Sequence, residues 1–123
     1  SEPCPNLARL IESGADRALL AEEIKGHIEG LRRRIGRHPD RAILGCTHYE
    51  IVADLFVAAL PEGTPLIHQP AATADALALY FERHPELDIG AGGARRFLTT
   101  GTPGLQSALI AEFWGGPVTF EAA

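Results

Sequence analysis

The stretch Arg41–Glu50, RAILGCTHYE, constrains the fold most. Ala42-Ile43-Leu44 is a short apolar run between polar Asp40-Arg41 and Gly45, which reads as a buried strand of the parallel type. From about His48 onward, Ile51, Val52, Leu55, Phe56, Ala59 and Leu60 recur at helical spacing. Gly45 supplies the backbone freedom for a tight bend between the two. Cys46, Thr47 and His48 therefore sit where a strand hands over to a helix. In open α/β sheets ligands bind at the carboxyl ends of strands, and a helix N-terminus at that place favours anionic groups.

The rest of the chain alternates in the same way. Pro5 fits the first turn of a short helix carrying Leu7, Leu10 and Ile11 and ending near Ser13-Gly14. Asp16 caps a long amphipathic helix with Leu20, Ile24, Ile28, Leu31 and Ile35 on one face, closed by Gly36. After the central helix, Leu60-Pro61-Glu62-Gly63 is a turn, and Pro65–His68 is a second short strand. Gln69-Pro70 leads into a helix whose apolar face is Ala72, Ala76, Leu77, Tyr80 and Phe81, stopped by Pro85. Gly90-Ala91-Gly92-Gly93 reads as a loop and not a phosphate loop, because it precedes a strand, 96–100, and carries neither GxGxxG nor GxxxxGK[ST]. Gly101-Thr102-Pro103 opens a last helix with Leu105, Leu109, Ile110, Phe113 and Trp114, ended by Gly115-Gly116, before a final strand over 118–120. The alternation predicts an α/β fold with a mainly parallel sheet flanked by helices.

Composition excludes several function classes. At 123 residues, 46% hydrophobic and 22% charged, the chain is of ordinary globular type. No apolar run approaches the roughly 20 residues of a membrane span, and the N-terminus does not resemble a signal peptide, so a cytoplasmic protein is expected. A net charge of -5 argues against nucleic acid, and Arg32-Arg33-Arg34 reads as a solvated helix face. Two cysteines, Cys4 and Cys46, are too few for a disulfide scaffold or a CxxC metal site, and His27 and His38 lack partners at metal-ligand spacing. No metal is expected. The single lysine, Lys25, lies within an amphipathic helix, which disfavours a pyridoxal phosphate enzyme, so no cofactor is expected either. The absence of Met and the start at Ser1-Glu2-Pro3 suggest a piece of a longer chain.

What remains is thiol chemistry. A cysteine accepts a proton usefully when its thiolate is stabilised, and both a helix N-terminus and the neighbouring His48 do that for Cys46. Thr47 and the backbone N–H groups of the turn are placed to hold a carboxylate. The competing structural reading makes Cys46 a small buried hydrophobe and His48 a helix-start residue. Glu12, a carboxylate at a helix C-terminus, is electrostatically out of place, with a solvated acid as its bland alternative. His68, at the carboxyl end of the second strand, is a further candidate.

ILGCTHY, with an upstream Cys4-Pro5 pair followed by Leu10-Ile11-Glu12, resembles the C-terminal half of glutamate racemases, in the aspartate/glutamate racemase superfamily. The resemblance extends through the long helix, Gln69-Pro70, Arg83-His84-Pro85 and Phe97-Leu98-Thr99-Thr100. It implies a two-lobed, pseudo-symmetric α/β fold in which two cysteines, one from each lobe, exchange the Cα proton of glutamate without pyridoxal phosphate or metal. Cys46 would be the second of these, His48 the residue assisting it, Glu12 the acid near the same thiol and Thr47 a substrate contact. Residues 1–64 would then be a second-lobe segment with the GCTH turn, and 65–123 a C-terminal segment returning to the first lobe.

The implied activity is conversion of L-glutamate to D-glutamate for peptidoglycan synthesis, with the N-terminal half and its cysteine as missing partner and a homodimer left open. Two departures stand out. Glu50 occupies a position where the family commonly has proline, and Ile67-His68-Gln69 stands where many members carry Asp-Ser. The alternatives are another racemase of the superfamily (aspartate or hydantoin type), a different cysteine enzyme, or a non-catalytic binding half.

Overall fold

The computed structural model describes residues 1–87, 90 and 93–123, without the side chains of 109, 112 and 113. Helix α1 (Leu7–Glu12) begins after an Asn6 N-cap, two places beyond the Pro5 start that the sequence suggested. Leu7 and Ile11, one turn apart, are its buried residues. Gly14 follows at φ 66°, a left-handed conformation that glycine adopts at no steric cost. Asp16 then opens helix α2 (Arg17–Ile35) as expected, its carboxylate accepting a hydrogen bond from Ala18 N at 2.8 Å. A cap of this kind contributes about 1 kcal/mol. The apolar stripe of α2 is buried only in its first half. Leu20 and Ile24 are buried, Ile24 completely, whereas Ile35 is 42% exposed. Full burial of one such side chain contributes about 1.5–3 kcal/mol.

Strand β1 (Ala42–Ile43) pairs in parallel with β2 (Leu66–Ile67), with Ala42 opposite Leu66 and Ile43 opposite Ile67. Burial of this strand on both faces does not hold, since Ile43 is 64% exposed while Leu44 is buried. Successive side chains of an extended segment point to opposite faces, and only the Leu44 face meets the core. The helix expected from His48 is also different. It starts as a 3₁₀ helix, Thr47–Val52, and becomes helix α3 (Ala53–Ala59) only after Val52, whose φ of -120° and ψ of 28° interrupt the winding. Leu7, Ile11, Leu20, Ile24, Leu44, Val52 and Phe56 form one hydrophobic cluster, which gathers α1, α2, the end of β1, the 3₁₀ turn and α3. The site is built on that cluster.

By internal contacts the chain divides into two compact units, residues 1–79 and 80–123. Helix α4 (Gln69–Arg83) has no buried residue, and Leu77, Tyr80 and Phe81 of its expected apolar face are exposed. In the second unit β3 (Phe97–Thr99) pairs in parallel with β4 (Phe120–Ala122), joined through helix α5 (Pro103–Trp114). The last strand thus lies later than the 118–120 expected. Phe97 holds this unit together, with its ring centroid 5.9 Å from that of Trp114, edge-on, and 5.7 Å from that of Phe120. Arg96 and Glu121 pair across the two strands at 2.6 Å. Ala91 and Gly92 of the expected glycine loop, and the side chains of Leu109 and Phe113, lie outside the described residues.

Every strand pairing among the described residues is parallel, so the α/β expectation holds, as two separate pairs instead of one sheet. No described helix is long and apolar enough to cross a membrane.

Candidate active site

Buried Leu44 anchors the end of β1, and the chain leaves it through Gly45 to Cys46, which is extended at φ -137° and ψ 137°. Gly45 is not in the glycine-only region, and a Cβ placed there would meet nothing within 4 Å. The tight bend assigned to it from sequence is therefore not what the backbone requires. The turn is made by the 3₁₀ helix, whose first bond runs from Tyr49 N to Cys46 O at 3.1 Å. This helix has six residues and no side-chain cap, so the strong helix-terminus field expected at Cys46 is not built. Few peptide dipoles are aligned there.

His48 supplies what the short helix does not. Its Nδ1 lies 3.6 Å from Cys46 Sγ, and its Nε2 lies 2.7 Å from Glu12 Oε1. Glu12 is the last residue of α1, and the packing of α1 on the 3₁₀ turn brings it to His48. The three residues form a linear relay. If Nε2–H donates to the Glu12 carboxylate, Nδ1 carries the lone pair and accepts the Cys46 thiol proton. The awkward position of Glu12 at a helix end has this contact as its structural counterpart. Thr47 sits beside Cys46 and is exposed. A cavity of about 400 Å³ is lined by Cys46, Thr47 and Glu50 from the turn and by Gln69, Pro70 and Thr73 from the start of α4.

That opposite wall was only partly visible in sequence. Gln69 Nε2 donates to the Leu44 carbonyl, and Glu50 contacts His68 Nδ1, so β1, β2 and α4 meet at the cavity through polar groups far apart in the chain. His68 stands out by its place at a strand end, but spacing gives no sign that its partner is Glu50. Among the described residues no three His, Cys, Asp or Glu side chains converge to hold a metal ion.

Cys4 occupies a different environment. It packs against the hydrophobic cluster, and Tyr49 Oη donates to its carbonyl at 3.1 Å. Burial pushes the Cys4 thiol up, an effect Tyr49 partly offsets and the charges of Glu2 and Cys46 reinforce. Tyr49 is itself pushed up to about 12, first by burial and then by the charge of Cys4. A second cavity, about 500 Å³, is lined by Cys4, His27, Tyr49 and Phe56 and also touched by Cys46. Because its pKa is raised, Cys4 becomes thiolate only at higher pH than a free cysteine. Its alkylation rate against pH should therefore inflect above about 8.5, while Cys46, with His48 to take its proton, reacts first at neutral pH. Peptide-resolved iodoacetamide kinetics would check this, and a Cys4 that reacts ahead of Cys46 would refute it.

No family model matches the chain. Over all 123 of its residues it is 73% identical to a glutamate racemase from Caulobacter sp. (strain K31), covering 44% of that protein. Its fold superposes on all of its length with glutamate racemase isoform RacE1 from Bacillus anthracis, at a TM-score of 0.84, 24% identity and 46% of that chain. A glutamate racemase from Francisella tularensis, solved in complex with D-glutamate, gives a TM-score of 0.81 at 21% identity, again over 46% of its chain.

These matches liken the chain to part of an amino-acid racemase, a class of isomerases, and the structural matches show the fold. By sequence it is similar, over all 123 residues, to one part of proteins named glutamate racemase. It spans under half the length of the relatives it matches.

Proposed function

We propose that the full-length protein carrying this chain interconverts L- and D-glutamate by proton transfer at Cα, using two cysteines and neither pyridoxal phosphate nor metal. This chain is its C-terminal half and contributes Cys46. Residues 65–123 return to the first lobe, and the product serves peptidoglycan synthesis in the cytoplasm. The observation that carries the reading is the Glu12–His48–Cys46 relay beside a cavity shared with Thr47. The bound D-glutamate of the Francisella racemase supports glutamate as the ligand.

The relay has a direct chemical use. His48 takes the Cys46 proton, Glu12 stabilises the resulting imidazolium, and the thiolate removes the Cα proton of one enantiomer. The electron pair left on Cα spreads into the adjacent carboxylate and the centre becomes planar. A thiol on the opposite face, from the half of the protein outside this chain, returns a proton and inverts it. In the reverse direction Cys46 is the donor. Thr47, at the cavity mouth beside Cys46, contacts the substrate.

The test is to incubate the full-length protein with L-glutamate or L-aspartate, without added cofactor, and follow circular dichroism and Cα deuterium incorporation. Glutamate is expected to racemise with solvent deuterium entering the product. Racemisation of aspartate in preference to glutamate, or of neither, would overturn the assignment.

A further inference from the structure

The geometry points to His68 as a specificity-determining residue: it masks the charge of Glu50 and so allows an anionic ligand to reach Cys46. This rests on the reading above in that the ligand is an anionic amino acid. Glu50 belongs to the same 3₁₀ turn as Thr47 and His48 and lines the 400 Å³ cavity beside Cys46. Among the described residues, no Lys, Arg or His lines that cavity. An uncompensated carboxylate in a partly desolvated wall repels a ligand that carries carboxylates of its own.

One oxygen of Glu50 accepts a hydrogen bond from His68 Nδ1, and the other is buried with no hydrogen-bond partner among the described residues. His68 is thus the group that balances this carboxylate. It stands just beyond β2 and contacts Glu50 without lining the cavity itself. The hydrogen bond that His68 donates draws negative charge away from the face Glu50 presents to the cavity. The other ionisable groups next to Cys46 are arranged in the same way, with His48 against the thiol and Glu12 behind His48. Each carboxylate near the cavity thus has an imidazole nitrogen against it, which reduces the negative charge an incoming anion meets. Placing Glu50 and His68 on separate elements, the turn after β1 and the end of β2, ties this compensation to correct pairing of the two strands.

Alkylation of Cys46 tests the mask directly. Iodoacetate and iodoacetamide attack the same thiol with and without a carboxylate, and peptide mass spectrometry separates Cys46 from Cys4. In the full-length protein, His68→Gln should lower the iodoacetate-to-iodoacetamide rate ratio at Cys46 about threefold or more, and Glu50→Gln should raise it by a similar factor. The iodoacetamide rate should stay near wild type in both variants. The KM for glutamate should rise in His68→Gln with kcat little changed. A ratio unmoved in both variants, or iodoacetamide slowing in step with iodoacetate, would overturn the mask and leave a packing contact. The probes need no turnover, so a wild type that fails to racemise glutamate refutes the function assignment while the ratio still decides this one.

Discussion

Cys46→Ser in the full-length protein is expected to lower glutamate racemisation by about 10²- to 10⁴-fold, the span attributed to a positioned acid–base group. Serine preserves the shape and leaves His48 and Glu12 in place, so the change isolates the sulfur. A hydroxyl is a far weaker acid than a thiol, and His48 at 3.6 Å with Glu12 behind it does not make an alkoxide basic group available at neutral pH. Because Cys46 lies outside the buried cluster of Leu7, Ile11, Leu20, Ile24, Leu44, Val52 and Phe56, stability should change little, and thermal unfolding serves as the control. The measurement is the initial rate in each direction by circular dichroism. Activity within a few-fold of wild type would remove Cys46 from the reaction.

The parts of this fold that were legible in the sequence are those specified locally. The Asp16 cap, the Gly36 and Gly115 stops and the buried pair Leu20 and Ile24 follow from residue type and spacing over one or two turns. The strand-to-helix handover at Cys46 was legible for the same reason. Its 3₁₀ winding was not, because periodicity over the six residues Thr47–Val52 does not separate 3₁₀ from α.

Glu12 shows the limit more sharply. Its position at the end of α1 was visible as an electrostatic oddity, but only the packing of α1 on the turn shows that His48 is its partner. The Glu50–His68 contact lies further out of reach still, since it depends on β1 pairing with β2 in one register. Burial of Ile43 and of the apolar face of α4 was expected from pattern alone. Apolar periodicity states which face prefers to be covered, and coverage requires an element that these residues do not place there.

The 123-residue chain by itself is expected to be catalytically silent, incorporating no measurable deuterium at the glutamate Cα in heavy water. Inversion needs an acceptor on one face of the carbon and a donor on the other, and among the described residues Cys46 is the one thiol placed in the cavity with Thr47. Cys4 does not substitute for a second. It lines the second cavity, which Cys46 also touches, but not the one that Cys46 shares with Thr47; its carbonyl is engaged by Tyr49, and burial raises its thiol, so it is not readily ionised. Exchange without inversion would need only one thiolate, but it also needs the substrate held with its Cα–H bond aimed at Sγ. Thr47, Glu50, Gln69 and Thr73 supply one wall and little charge to fix two carboxylates and an ammonium, and loss of orientation costs orders of magnitude in rate. A pair of such chains would bring two copies of Cys46 but duplicate the same wall. Mixing in a chain that supplies the remaining length of the relatives should restore exchange. Racemisation by the 123 residues alone, abolished by Cys46→Ala, would show that one lobe carries the whole reaction.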